Sequence, residues 1–327
     1  MEIKNINIEN FTVFNNFKIQ FSKGINLIIG MNGTGKTHIL KLMYGLSKND
    51  KKQIDTGNKF SALANLYFKS SSQELSRIED KDTEISLEFF DDYKIIYNSH
   101  KNYKNKESIG IKNEKVVFIP AKEMLSHSKG FLALNNKYEL PFDQTYIDIV
   151  TNAELPEVKN ISKISGKIIS KIEDIIDGKL IYENNTFYIE KRNTKKLDIQ
   201  LEAEGLRKFG LLYKLIKNGL IEKDSILFWD EPESNINPEL MPILVDILLM
   251  LEEEGVQIFI ATHNYNLAKY FELKRKNNNQ VKFFSLYKEN NEVLVDSNEY
   301  FGELKENKIL EADEELLDYV VETRLED

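Results

Sequence analysis

Residues 30–37, "GMNGTGKT", fit the pattern G-x-x-x-x-G-K-T. Gly30, Gly33 and Gly35 free the backbone to wrap closely with its N–H groups turned inward. The apolar run "INLIIG" precedes this stretch and the helically spaced "KTHILKLMYGL" follows it. A buried strand, a glycine loop and a helix N-terminus therefore succeed one another, the setting in which such a loop cradles phosphates. Asn32, Gly33, Thr34 and Gly35 supply the cradle. Lys36 is spaced to reach the β- and γ-phosphates of a nucleotide, and the Thr37 hydroxyl to ligate Mg2+.

The complementary acids lie in "ILFWDEPE" (226–233). A hydrophobic strand delivers Asp230 to its C-terminal end, where open α/β sheets bind ligands. Asp230 is placed to hold Mg2+. Glu231 points elsewhere because strand side chains alternate, and it is a candidate general base for an attacking water. In "IFIATHN", His263 follows another buried-strand pattern. A His there can contact the γ-phosphate or orient the water. The expected catalytic pair is Glu231 and His263, and the expected metal ligands are Thr37 and Asp230.

These elements, in this order, resemble the ATP-binding-cassette (ABC) ATPase superfamily. They are most similar to its soluble branch of chromosome-maintenance, recombination-repair and overcoming-lysogenization-defect (OLD) ATPases. The opening "IKNINIENFTVFNNFKIQFSKGINLIIGMNGTGKT" and "DEPESNINP" carry the likeness. "FIPAKEML" and "AEGLRKFG" narrow it to short single-head ATPases of bacterial antiphage systems. The resemblance implies ATP and Mg2+ as cofactors and a head-to-tail homodimer, with each ATP held between one phosphate loop and the partner's signature motif. It places "EAEGLRKFG" (202–210) at the signature, with Ala203 where a serine is usual and Gly205 as the following glycine. Asn235 would meet its twin near the dimer axis. The missing hydroxyl puts efficient hydrolysis in question. Arg207 or Lys208 can replace it, and Arg207, one turn into the helix, is the better placed to fork two donors onto a phosphate in trans. Lys122 and Glu123 stand where relatives carry a coupling Gln, or are plain loop residues. A higher oligomer and a separate effector, a nuclease or toxin, are further implied partners.

The frame that must position these groups reads as α/β. Continuous apolar strands alternating with helices imply a mainly parallel core sheet. "EIKNINIENF", "FNNFKIQF", "TEISLEFF" and "YKIIYN" form an antiparallel N-terminal subdomain. One ABC-type domain, 1–327, is expected: an N-terminal lobe (1–121) with the phosphate loop, a helical insertion (122–178) ending at Gly178, and a C-terminal lobe (179–327) with the signature, Asp-Glu and His motifs. A hairpin turns at Asn184-Asn185, and residues 50–80 are helix-prone. The tail "EADEELLDYVVETRLED" is an acidic amphipathic helix whose Leu316, Leu317, Val320 and Val321 share a face, expected to dock on the head or on a partner.

Composition narrows the function classes. The 327 residues are 41% hydrophobic and 30% charged, which suits a packed core. Cysteine is absent, excluding disulfides and thiolate metal sites and fitting a cytoplasmic location. No apolar run reaches membrane-spanning length. With a net charge of −9, nucleic acid would need a local basic patch. Lys101, Lys104, Lys106, Lys112 and Lys115, with Tyr103, offer one, but Glu107 and Glu114 within the run favour a solvated loop. His38, His100 and His127 lack metal-ligand spacing. An OLD-type nuclease would need a further domain after His263. A repair or chromosome ATPase usually carries a longer coiled-coil insertion, and a transporter motor a different signature. A non-hydrolysing ATP-binding scaffold is the fourth rival.

Overall fold

The computed structural model describes residues 2–48, 59–99, 106–107, 115–192 and 196–325. Alternating burial marks β1 (Ile3–Phe11) and β2 (Phe14–Gln20), which pair antiparallel. β3 (Ile25–Gly30) is buried at every position and feeds the glycine loop into α1 (Lys36–Ser47). The short α2 (Lys59–Leu63) runs on into a π-helical turn, Ala64–Phe68. β4 (Glu84–Phe89), β5 (Lys94–Asn98) and β6 (Lys106–Glu107) complete a five-stranded sheet in the order β2-β1-β4-β5-β6.

After β7 (Val116–Ile119) come three helices, α3 (Phe131–Tyr138), α4 (Gln144–Glu154) and α5 (Lys163–Ile175). They lie within residues 122–178, whose first nine residues make a loop with a single 3-10 turn, Leu125–His127. The last helix stops at Ile175, not at Gly178. Asp177 takes φ 49°, and Gly178 already begins β8 (Gly178–Glu183). β8 turns at Asn184 and Asn185, both at positive φ, into β9 (Thr186–Lys191), as a two-residue hairpin requires. β10 (Lys196–Asp198) adds the third strand of this small sheet, and Ile199–Leu201 then curl into a 3-10 turn.

The chain continues as α6 (Glu204–Lys217), β11 (Ile226–Asp230), α7 (Met241–Glu253), β12 (Gln257–Thr262) and α8 (Tyr265–Lys274). A hairpin, β13 (Val281–Glu289) and β14 (Glu292–Asn298), and α9 (Lys308–Leu325) close the chain. The central sheet has the order β14-β13-β3-β12-β11-β7, and all its neighbours are parallel except β13 and β14. Both of its faces are covered, which explains the continuous apolar strands. Ile28, Phe228 and Phe259 face α1 and the antiparallel sheet, and Leu27, Trp229 and Ile260 face the insertion and α6 and α7. Buried Gln257 stitches the two sheets together, accepting from Ile3 N (2.7 Å) and donating to Ile3 O and Ser22 O (both 2.8 Å).

The tail forms the expected helix but does not dock along its length. Ile309 and Leu310 pack on the core, whereas Leu316, Leu317, Val320 and Val321 are 44–60% exposed. Of the basic run, Lys101, Tyr103, Lys104 and Lys112 lie outside the described residues, as does His100. Lys115 is ion-paired with Glu222.

Candidate functional site

Three parallel neighbours, β3, β12 and β11, end side by side, with Ile29 in register with Thr262 and Asp230 with Ala261. That register gathers the glycine loop, the Asp-Glu pair and the His loop at one edge of the sheet. Gly35 shows why the loop needs glycine. Its φ is 90°, and a Cβ there would fall 2.4 Å from the Phe14 ring. Without a side chain, the loop can pack directly on Phe14 and Val13.

Lys36 is buried, and its ammonium fills the loop, donating to Gly30 O (2.6 Å) and Met31 O (3.1 Å). Burial lowers its pKa, and the carboxylates of Glu231, Asp230 and Glu233 push it back up. Asn32 and Gly33 are exposed along the rim, while Thr34 is buried and closes the loop through its hydroxyl to Met31 O (2.9 Å). Thr37 Oγ1 donates to Asp230 Oδ2 at 2.9 Å, so the two expected metal ligands touch. Burial raises the Asp230 pKa to about 6, opposed by the Thr37 hydrogen bond and by Lys41 and Lys36.

Glu231 leaves the strand with φ 46°, its N–H held by Ala261 O at 2.9 Å. The left-handed turn swings its carboxylate to His263, with Oε1 3.0 Å from Nδ1. Both side chains remain partly open. Glu233, which motif reasoning passed over, is buried beneath them. It accepts from Thr262 Oγ1 at 2.6 Å, and its Oε2 has no hydrogen-bond partner among the described residues. Burial raises its pKa. The Thr37 hydroxyl and the Asp230 carboxylate form a hard-oxygen pair that suits Mg2+.

The signature stretch splits in two. Ala203, exposed, is the N-cap of α6 and offers no side-chain cap. Gly205 is buried against the loop after Glu231; a Cβ there would fall 2.6 Å from Asn235 O. Asn235 itself is exposed, with φ 60°. Arg207 lies against its own chain, with Nε 3.1 Å from buried Glu123 Oε2, without the alignment of a hydrogen bond. Glu123 also accepts from Leu125 N and Ser126 Oγ, so it braces its loop. Lys122 is exposed, its ammonium 5.5 Å from the Phe142 ring centre.

Sequence reasoning also missed Lys41 and Lys288. Lys41 Nζ binds Asp143 Oδ2 at 2.6 Å, tying α1 to the cap of α4. Lys288 Nζ would lie 3.7 Å from a Cβ at Gly33, so β13 brings a cation to the loop. Nothing in a hairpin lysine's local sequence signals this; only the β13–β3 pairing does.

Comparison with known proteins agrees with this architecture. The chain is 29% identical over 215 residues to the DNA replication and repair protein RecF of Clostridium acetobutylicum, covering 60% of this chain and 56% of that one. It thus spans little more than half of that relative. A 43-residue stretch is 56% identical to the DNA double-strand break repair Rad50 ATPase of Methanococcus maripaludis, covering 13% of this chain and 4% of that protein. Among solved structures, an SMC head bound to the C-winged helix domain of ScpA superposes with TM-score 0.59 at 15% identity, over 91% of this chain and 98% of that one. The SMC head domain from Thermotoga maritima gives 0.51 at 14% identity, over 92% and 100%. These likenesses establish an ABC-type head fold. A family model described as "AAA domain, putative AbiEii toxin, Type IV TA system" matches residues 25–269, from the strand before the glycine loop to the helix after His263, and the chain belongs to that family.

Proposed function

We propose that this chain binds Mg-ATP, dimerises head to tail around it, and hydrolyses it to release the dimer. The observation that carries the reading is the joining of two motifs nearly two hundred residues apart: Thr37 on Asp230 at 2.9 Å, beside Glu231 on His263 at 3.0 Å. Lys36 and the loop amides hold the phosphates, trading two backbone carbonyls for phosphate oxygens. Thr37 and Asp230 would hold Mg2+, which when bound neutralises charge on the phosphates. Glu231 takes a proton from the attacking water, and His263 steadies the carboxylate and faces the γ-phosphate. The exposed N-terminus of α6, with Ala203, supplies the signature contact to a partner's nucleotide, and Asn235 meets its twin across the dimer.

In this reading the chain is the cytoplasmic sensor or regulator of an antiphage system, acting with a separate nuclease or toxin. The family description, with its toxin and type IV system, supports that setting. No helix among the described residues is long and apolar enough to cross a membrane. A second reading, an ATPase of DNA repair or chromosome organisation, draws on the names of the RecF and Rad50 relatives. The short insertion favours the first.

The test is Glu231→Gln. Loss of a general base costs about 10²–10⁴-fold in turnover. The variant should bind ATP normally, release phosphate slowly and accumulate as an ATP-bound dimer in light scattering. Turnover at the wild-type rate, or a monomer at saturating ATP, would overturn the proposal.

A further inference from the structure

Position 208 lies on the buried face of α6, beside Phe209 and Leu212, where an aliphatic side chain would satisfy packing. The residue is instead a lysine, 2% exposed. Burying an ammonium is expensive unless its donors are met. All three are. Lys208 Nζ donates to Ser234 O (2.8 Å), Ser234 Oγ (2.5 Å) and Glu231 O (3.2 Å). Ser234 Oγ relays a further bond to Glu231 O at 2.9 Å. Among the described residues no carboxylate lies within ion-pair distance of this ammonium, so its partners are the loop itself.

That loop needs holding. Glu231 sits at φ 46°, a conformation such a side chain keeps only when its surroundings impose it, and Asn235 turns the chain again at φ 60°. Lys208 fastens the first of these turns, and the close approach of Gly205 to Asn235 O fastens the second. We propose that Lys208 is a positioning residue for Glu231: it clamps the 231–234 loop to α6, sets the carboxylate against His263, and so links the helix that presents the signature to the water-activating group of the same chain. Its ammonium is engaged by the loop, so it acts through Glu231. This assignment replaces a direct role for Lys208 in phosphate contact and rests on the Glu231 reading above.

The test pairs Lys208→Met, close in size and without charge, with Glu231→Gln. Small displacements of a reacting group cost about 10²-fold, so kcat should fall by about that factor in Lys208→Met while ATP affinity stays within twofold to threefold. In the double variant the Lys208 change should add almost nothing, because its effect runs through Glu231. Hydrogen exchange, measured without nucleotide, should accelerate across 231–236 and stay unchanged across 30–37. A wild-type kcat, a loss confined to affinity, additive effects in the double variant, or unchanged exchange across 231–236 would each overturn the clamp. Should Lys208→Met fail to fold, Ser234→Ala removes one acceptor and the relay; kcat should fall about tenfold at unchanged affinity, and no fall would overturn the proposal. If Glu231→Gln hydrolyses ATP normally, the catalytic reading fails separately, and the exchange measurement still decides the clamp.

Discussion

Replacing Asp230 by Asn should stabilise the nucleotide-free protein while abolishing the Mg-dependent hydrolysis proposed above. Asp230 is 7% exposed, and burial lifts its pKa from 3.8 to about 6. The folded state therefore binds this proton more tightly than the unfolded chain does. By linkage, the ionised carboxylate costs stability that grows as pH rises from about 4 to about 6 and is constant above. Two pKa units correspond to roughly 2–3 kcal/mol at pH 7. An Asn side chain keeps an oxygen for the Thr37 hydroxyl and carries no charge, so it avoids that cost. At about 2 cal/mol/K per residue of unfolding entropy, the gain should appear as a rise in Tm of about 3–4 °C at pH 7. Scanning calorimetry of both proteins from pH 7 to pH 4, without nucleotide or divalent cation, gives the check. The gap should close as the pH falls, because the wild-type carboxyl becomes neutral. An unchanged Tm at pH 7, or a gap that widens on acidification, would refute the reasoning.

Gly205→Ala should cost about 1–3 kcal/mol in chemical denaturation, because its Cβ would fall 2.6 Å from the backbone oxygen of Asn235 and force the loop away. An unaltered midpoint would mean the close approach is readily relieved. Arg207→Ala should leave ATP affinity under dilute, monomeric conditions unchanged and weaken ATP-driven dimerisation about 10- to 150-fold, the worth of a charged hydrogen bond. If both fall together, Arg207 serves only its own chain, through Glu123. Deleting residues 312–327 should leave ATPase activity intact and change the assembly mass, because the apolar face it removes is exposed on the head. An unchanged mass in light scattering would exclude a role for this helix in assembly.

The motifs were legible because each depends on local backbone. A glycine loop between an apolar strand and a helix can be read from eight residues, and acids at the end of "ILFW" can be read from strand periodicity. Contacts made by long side chains across the fold were not legible. Arg207 and Lys208 are adjacent cations at a helix start, and the sequence offers no means of telling their fates apart. One helical step of about 100° sends Lys208 inward to Ser234 and leaves Arg207 beside Glu123, more than eighty residues away in the chain. Glu233 was passed over for a related reason: its significance comes from Thr262 on the neighbouring strand. The tail helix shows the converse limit. Its periodicity fixed the helix but not what its apolar face meets, and the face past Leu310 stands clear of the head.

The electrostatics of the site explain why a nucleotide and a divalent cation would have to arrive together. Asp230, Glu231 and Glu233 all act on Lys36, and Lys36 and Lys41 both act on Asp230. In the nucleotide-free protein this balance favours partial neutralisation: Asp230 is drawn toward its protonated form, and Lys36 turns to carbonyl oxygens. A triphosphate alone would bring several negative charges toward three carboxylates, a repulsion that the loop amides and the lysines at the site would offset only in part. A divalent cation on Thr37 and Asp230 reverses the local sign. It would offset the cost of the buried, ionised Asp230 carboxylate and leave Lys36 free for the phosphates. Glu231, more open than Asp230 and held at its own turn by the bonds that Lys208 and Ser234 make to its carbonyl, faces His263 and not the Thr37–Asp230 pair. The separation of roles between adjacent acids thus follows from burial and from one left-handed turn, with no difference in their chemistry required.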